Sequence, residues 1–365
     1  MIPLLLALAQ QPAGGDLGPY LAIAAEYASG NRTGALREIR EWGVFEIARA
    51  TGALQDREKY LRSTVKLPDE IAFRTVEAAV LLHAEAGILY LQEQRAPAAK
   101  RHFDASTKLL RWSRAAAARA RNQAVHRMIF KAPEEPRWEL HESIDVRDFY
   151  VALSSASLVL GFPGVAVPFA EKAREEAPRD AQVQLVLGCA AEAFATELAL
   201  LHRGGDASRT RRDAETALRE ALALAPGTVE ARLRLGKLLL DESRADDAEP
   251  LLAAADAGAR DARQRYLARL FRGRAFERLG QSDHAIGSYR RALETWPDSQ
   301  AARLGLAHAL EKTSGPAAAR AYVDAVLDPT RPKDAKPDPW FLYPVGPPGL
   351  ATAAFARVFE QKAAP

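Results

Sequence analysis

The sequence predicts an all-α protein made by stacking antiparallel helix pairs, and three observations predict it. Residues Tyr266 to Ser299, YLARLFRGRAFERLGQSDHAIGSYRRALETWPDS, read as one helix–turn–helix unit 34 residues long. The pattern of that unit returns before and after it at matching offsets. No stretch carries the two-residue alternation of a half-buried strand.

Each part of the unit has a physical reason. Gly273 sits in the middle of the first helix, where it costs about 1 kcal/mol of helix propensity, so it predicts close approach by the partner helix. Phe276 follows on the same face. Leu279-Gly280-Gln281-Ser282 reads as a stop and restart, with Gly280 closing one helix and Ser282 capping the next. Ala285, Tyr289 and Ala292 form one stripe of the second helix, in which the small residues permit close packing and Tyr289 fills the gap. Pro297 ends the unit.

The same places recur. Leu235-Gly236, Ala248, Leu252 and Ala255 match, with Gly258 as breaker where the proline is missing. Leu187-Gly188, Ala214, Leu218, Ala221 and Pro226 match too, with either a turn stretched around His202 to Asp206 or longer helices. Tyr150, Leu153, Ser154, Gly161, Ala166, Ala170, Ala173 and Pro178 form a further copy. Gln300 to Pro329 is a worn one, turning at Gly315-Pro316 and carrying Tyr322 in its second helix. This order of small residue, aromatic, glycine turn, alanine, aromatic, alanine and proline resembles the tetratricopeptide repeat. The resemblance covers residues 147–329 and implies a right-handed α-solenoid; it speaks to the fold, since one fold hosts many functions.

Residues 16–146 read as divergent N-terminal repeats. Asp16 to Ser29 and Thr33 to Ala50 form a first helix pair, and Thr51 to Pro68 a connector. A long helix opens at Asp69; its partner, Ala96 to Trp112, carries Ala99, Phe103, Ser106 and Leu110 at repeat-like spacing. Ala132 to Ser143 is a loop. Before all this, MIPLLLALA resembles the apolar core of an export signal, closed by Ala7-Leu8-Ala9 but lacking a basic start. Residues 1–15 are therefore expected to hold a clipped signal and the mature start, which favours a periplasmic or secreted protein over a cytoplasmic one. No other run is expected to approach the ~20 apolar residues of a transmembrane segment.

Residues 330–365 break the pattern. Thr330 to Pro337 should be extended. Pro339-Trp340-Phe341-Leu342-Tyr343-Pro344 is an aromatic cluster expected to be extended and to bury, against the solenoid or a partner. Leu350 to Gln361 reads as an amphipathic helix. Because solenoid ends expose apolar surface, the tail is expected to be a C-terminal capping segment.

Composition narrows the function. A formal net charge of +3 in 365 residues implies no obligatory polyanion, and a 7% aromatic share suits thin helix interfaces. The lone Cys189 excludes an internal disulfide and reads as a small core residue. The 7 histidines show no ligand spacing. His141-Glu142 begins like a zincin motif, but Asp145 stands where the second histidine belongs. No nucleophile elbow, phosphate loop or dinucleotide fingerprint occurs. The expectation is a non-enzymatic scaffold with no catalytic residues, metal or cofactor.

The resemblance implies that the first helix of each pair lines a concave groove. Its groove-facing offsets fall on Arg234, Lys237 and Asp241, on Phe271, Arg274 and Arg278, and on Arg303, Leu304 and His308 in the worn copy. Of these, Arg234, Lys237, Phe271, Arg274 and Arg278 are the expected partner-binding residues. They make a mostly basic strip with an aromatic, suited to an acidic peptide or protein through charge-assisted hydrogen bonds. The competing reading pairs these cations with Asp and Glu of neighbouring repeats. An alternative site is the basic stretch 95–131, with Arg111, Arg114, Arg121 and Arg127, facing RNA or an acidic surface. Its bland reading is a solvated helix face, and nucleic acid is disfavoured because few aromatics interleave to stack bases.

Overall fold

The computed structural model describes residues 70–92, 94–129, 144–327 and 338–347, with single positions between 22 and 38 and at 350 and 353; at 70–76, 78, 89, 112, 116–129, 342 and 345 it describes the backbone alone. The described residues contain no strand. The chain divides into two compact units, residues 1–145 with 358–365, and residues 146–357.

In the first unit, α1 (Glu70–Gln92) and α2 (Ala96–Ile129) pack as a hairpin. Gln94 takes a φ of 60° at the turn, and Arg95 N donates to Tyr90 O at 2.8 Å. Gly87 of α1 meets the ring of Phe103 of α2 so closely that a Cβ would lie 2.5 Å from it. The expected earlier helix pair has helical residues at 22, 23, 26, 34, 35, 37 and 38, with Ile23 and Ala35 buried. The expected signal at 1–15, the connector, the 132–143 loop and the helix beyond 353 lie outside the described residues.

The second unit is a stack of helix pairs. They are α3 (Val146–Val159) with α4 (Pro163–Glu176), α5 (Ala181–Leu200) with α6 (Gly204–Leu224), α7 (Val229–Asp241) with α8 (Ala245–Gly258), α9 (Ala262–Arg278) with α10 (Ser282–Thr295), and α11 (Gln300–Ser314) with α12 (Pro316–Leu327). The first helices touch one another in succession along one side, and each second helix also touches the first helix that follows. One device recurs between partners. A Cβ on Gly188 would meet Leu218 at 2.6 Å, one on Gly236 would meet Leu252 at 2.6 Å, and one on Gly273 would meet Tyr289 at 2.4 Å. The close approach expected of Gly273 is thus present, and a Cβ on Gly305 of the next pair would likewise meet the Tyr289 ring at 2.6 Å.

The turns repeat as well. Gly161, His202, Ser243, Gly280 and Gly315 each take a positive φ directly after a first helix. The following amide reaches the carbonyl five residues back at four of them: Phe162 N to Ser157 O, Arg203 N to Leu198 O, Arg244 N to Leu239 O, and Gln281 N to Phe276 O, all 2.8–2.9 Å. This geometry corrects one expectation. Gln281, not Ser282, holds the cap position of α10, and its side chain makes no cap bond; the chain swings from the left-handed Gly280 straight into the next helix. The turn after α5 is as short as the others, and the extra length lies in α5, of 20 residues, and α6, of 21. Asp180, Asp261 and Ser299 cap α5, α9 and α11 with their side chains.

Two further corrections concern apolar segments. Ala181–Leu200 is long and apolar enough to cross a membrane by length and composition, with a window of mean hydropathy 1.5, contrary to the expectation that no such run exists. It serves as α5 of the stack, where 67% of that window is buried. The aromatic cluster is not extended. Asp338 caps a single turn, α13 (Pro339–Leu342), followed by a 3₁₀ turn at Tyr343–Val345. Proline at the first helical position and an aspartate before it are the residues that favour this start. The segment runs along α9, α5 and α3 on the side of the first helices.

Candidate functional site

The inner face of the second unit is built from α5, α7, α9 and α11, and residues 338–347 are seated on it. Arg234 lies at its centre, only 1% exposed. Its three nitrogens diverge: Nε donates to Glu230 Oε1 at 3.1 Å, Nη1 to Glu192 Oε2 at 3.3 Å, and Nη2 to the carbonyl of Tyr343 at 2.7 Å. Its guanidinium also stacks 3.9 Å from the centre of the Tyr343 ring. Glu230 takes a second cation, Arg263, at 3.0 Å. Burial works against the charge on Glu230, but Arg234 and Arg263 overcome it and hold its carboxyl below the usual range. Burial likewise opposes the charge on Arg234, and the carboxylates facing it, Glu230 and Glu192, outweigh that and hold its proton firmly.

Lys237, one turn along α7, bridges Glu192 at 3.1 Å and Asp241 at 2.7 Å. Phe271 is fully buried, edge-on to both Trp340 and Tyr343, with ring centres 5.7 and 5.4 Å away. Arg274 lies 5.7 Å from the Trp340 ring and only loosely paired, 3.9 Å from Asp241. Arg278 is exposed and donates to the neutral Ser243 Oγ at 3.0 Å. The structure thus brings four of the five expected groove residues, Arg234, Lys237, Phe271 and Arg274, into contact with one segment. It leaves Arg278 outside it. The floor is of mixed charge, with Glu192, Glu230 and Asp241 between the cations, rather than the basic strip expected.

The seated segment is anchored at Asp338, itself buried. Its carboxylate accepts from Tyr266 Oη at 2.7 Å, Ser299 Oγ at 2.9 Å, Ala301 N at 3.1 Å and Trp340 N at 3.0 Å. Burial, with Asp338 beside it, pushes the Tyr266 phenol far up. At the other end Gly346, with a φ of 88°, comes against Leu158 of α3. Phe341 between the anchors is 61% exposed.

Sequence reasoning missed Glu192, Glu230, Tyr266, Ser299, Asp338 and Tyr343 as members of this site. A signal existed for Glu192, a carboxylate in the middle of the otherwise apolar LGCAAEAFA, since a charge there requires a buried partner. In the alternative basic patch, Arg111 is exposed and Arg114 half-buried, and the side chains of Arg121 and Arg127 lie outside the described residues. In the first unit, His83 and His102 come together, Nδ1 to Nδ1 at 3.0 Å and both buried, which their spacing in sequence does not suggest. Among the described residues, no three His, Cys, Asp or Glu gather as metal ligands. Cys189 is buried, and burial pushes its thiol up to about 12.

Comparison with known proteins agrees with this architecture. The tetratricopeptide-repeat family model matches residues 206–263 and 270–335. Cellulose synthase 2 operon protein C of Komagataeibacter xylinus is 32% identical over 157 residues, which is 43% of this chain and 12% of that protein's length. Among solved structures, MamA 41-end from Desulfovibrio magneticus RS-1 superposes with a TM-score of 0.42 at 23% identity, covering 53% of this chain and 99% of that one. Another MamA crystal structure gives a TM-score of 0.40 at 19% identity, covering 50% of this chain and 91% of its own. With its glycine-locked helix pairs, the chain carries tetratricopeptide repeats over residues 206–263 and 270–335.

Proposed function

We propose that the protein is a non-enzymatic interaction scaffold that takes a peptide or protein partner on the inner face formed by Arg234, Lys237, Phe271, Arg274 and Arg278. Tetratricopeptide repeats are in general protein-interaction modules, and the observation that carries the reading here is the occupant already on that face. A short segment sits there with its carboxylate, a backbone carbonyl and two aromatic rings each met by a complementary group. The chemistry that holds residues 338–347 is the chemistry a foreign peptide would use. Charged groups on the floor also suit a face that opens. A buried ion pair is worth little more than an apolar contact of similar shape, but its members rehydrate readily when uncovered.

The test is a cross-linking pull-down from the native cell with three forms of the full chain: wild type, Tyr343→Ala and Arg274→Glu/Arg278→Glu. The reading expects one specific protein that is captured more by Tyr343→Ala and lost with the charge reversal. An identical set of proteins from all three forms would contradict it.

A further inference from the structure

The occupant defines what the face recognises. Its first position is read by three donors of the face, the Tyr266 and Ser299 hydroxyls and the Ala301 amide, converging on the Asp338 carboxylate beside the segment's own Trp340 amide. An asparagine there would turn an amide towards some of these donors. The next position, Pro339, starts the turn without needing a partner for an amide. The third, Trp340, lies between Phe271 and Arg274. The fourth, Phe341, is exposed and therefore unread. The sixth, Tyr343, is read twice, by Arg234 beneath its ring and at its carbonyl. The pattern built from the described side chains is Asp-Pro-aromatic-x-x-Tyr, with the fifth position left open because its side chain lies outside the described residues.

The tethered segment competes with anything else that fits. Residues 328–337 join α12 to it, and a short tether gives an effective concentration on the order of mM. A second copy of this chain would offer the same contacts without that advantage, so it loses to the resident segment. A displacing segment needs contacts that the resident one leaves unmade. Two cations beside the site are available for them: Arg278, bonded to the neutral Ser243 hydroxyl, and Arg274, loosely paired with Asp241.

We propose that the inner face recognises a segment of another protein with the pattern Asp-Pro-aromatic-x-x-Tyr flanked by acidic residues, and that residues 338–347 hold the face closed until such a segment displaces them. The inference rests on the scaffold reading above and names the partner class and its control.

The experiment is fluorescence anisotropy with a labelled peptide reproducing residues 336–347, titrated with the full chain as wild type and as Asp338→Ala/Tyr343→Ala. These substitutions release the resident segment and leave the floor intact. Two further probes carry three added glutamates at one end or the other. The released chain is expected to bind the plain peptide at least tenfold more tightly than wild type, because wild type is competent only in the fraction that has opened. One acidic probe is expected to bind tighter still, and that gain to disappear in Arg274→Glu/Arg278→Glu. A peptide carrying the same two alanines should not bind. If the double variant loses helicity by circular dichroism, Asp338→Asn, which keeps both rings, carries the same comparison. A folded, released chain that ignores every peptide overturns the inference. So does a wild-type dimer in sedimentation velocity that Tyr343→Ala abolishes, because the occupant would then be a second copy. If the released chain captures a partner in the cross-linking experiment but ignores the peptides, the inference alone falls; if it does neither, the scaffold reading falls with it.

Discussion

The two sides of the first helices α7 and α9 are built on opposite principles. Towards their partners in α8 and α10 they present glycine. Gly236 and Gly273 are filled by Leu252 and Tyr289 at distances that leave no room for a methyl group, and the seam holds Ala248, Ala285 and Ala292, each fully buried. Towards the inner face they present ions and an aromatic: Glu230, Arg234, Lys237, Asp241, Phe271 and Arg274. The seam is a jigsaw that permits one arrangement. The inner face is a set of paired charges completed by a segment whose Tyr343 lies 109 residues beyond Arg234 in sequence. The difference separates architecture from recognition within the same two helices.

The largest effect should come from emptying one side against the other. Tyr289→Ala removes a ring clasped by two glycines and should lower global stability by about 3–5 kcal/mol, measured by chemical denaturation. Tyr343→Ala removes a ring buried as deeply, yet its global cost should be less than half of that. Its segment can leave as a unit, so the loss cannot exceed the free energy of docking. Chymotrypsin cleavage near Trp340 should rise in that variant while the helices remain resistant. Equal losses in the two variants would erase the distinction.

The α1–α2 hairpin of the first unit offers a pH test of a seam. Burial, then the neighbouring His102, pushes His83 down to about 3; burial, then Arg101, pushes His102 down to about 4. Both imidazoles thus fold neutral, down from the ordinary 6.5. Between about 6.5 and about 4 the unfolded chain binds more protons, so this contribution is complete above 6.5 and is lost as pH falls through that window. Down to pH 5 the loss should amount to about 4 kcal/mol at the most, at about 1.4 kcal/mol for each pH unit and each of the two groups. Melting curves at pH 7.5 and 5 should diverge in wild type and diverge less in His102→Gln, where buried His83 alone still contributes. Parallel curves in both would contradict the pairing.

Gly273→Ala sharpens the seam itself. The added methyl meets Tyr289, which Gly305 blocks on its far side, so overpacking should cost about 1–3 kcal/mol despite the better helix propensity. The smallest effect is a gain. His202 is exposed and held at a φ of 57° after α5, where glycine is free of the side-chain penalty, so His202→Gly should stabilise by about 1 kcal/mol. No gain in the denaturation midpoint would show that the turn carries no strain.

The seam was legible in the sequence and the inner face was not, for a physical reason. Gly273 and Tyr289 stand in one unit, and a glycine in a helix interior announces a close neighbour by its cost. The turn glycines announce themselves in the same way. Arg234, by contrast, finds its partners in Glu192 and Tyr343, and nothing local to α7 names either. Its charge was read as a partner contact or as one half of a pair across repeats, and the residue that covers it lies in the tail. The tail's own shape was partly readable. Asp338-Pro339 is a cap followed by a first-turn proline, a helix start rather than an extended run, and the aromatic run was rightly expected to bury. The face that it covers follows only from the fold.

The central claim is that residues 338–347 open from the inner face without the helices opening. Hydrogen exchange of the full wild-type chain tests this most directly, by comparing the amides of Phe341 and Gly346, bonded to Asp338 and Tyr343, with those in the middle of α9. The account predicts that the segment exchanges through a separate, smaller opening free energy, and that α9 exchanges only through global unfolding. Equal opening free energies for the two would make the segment a permanent part of the core and contradict the account.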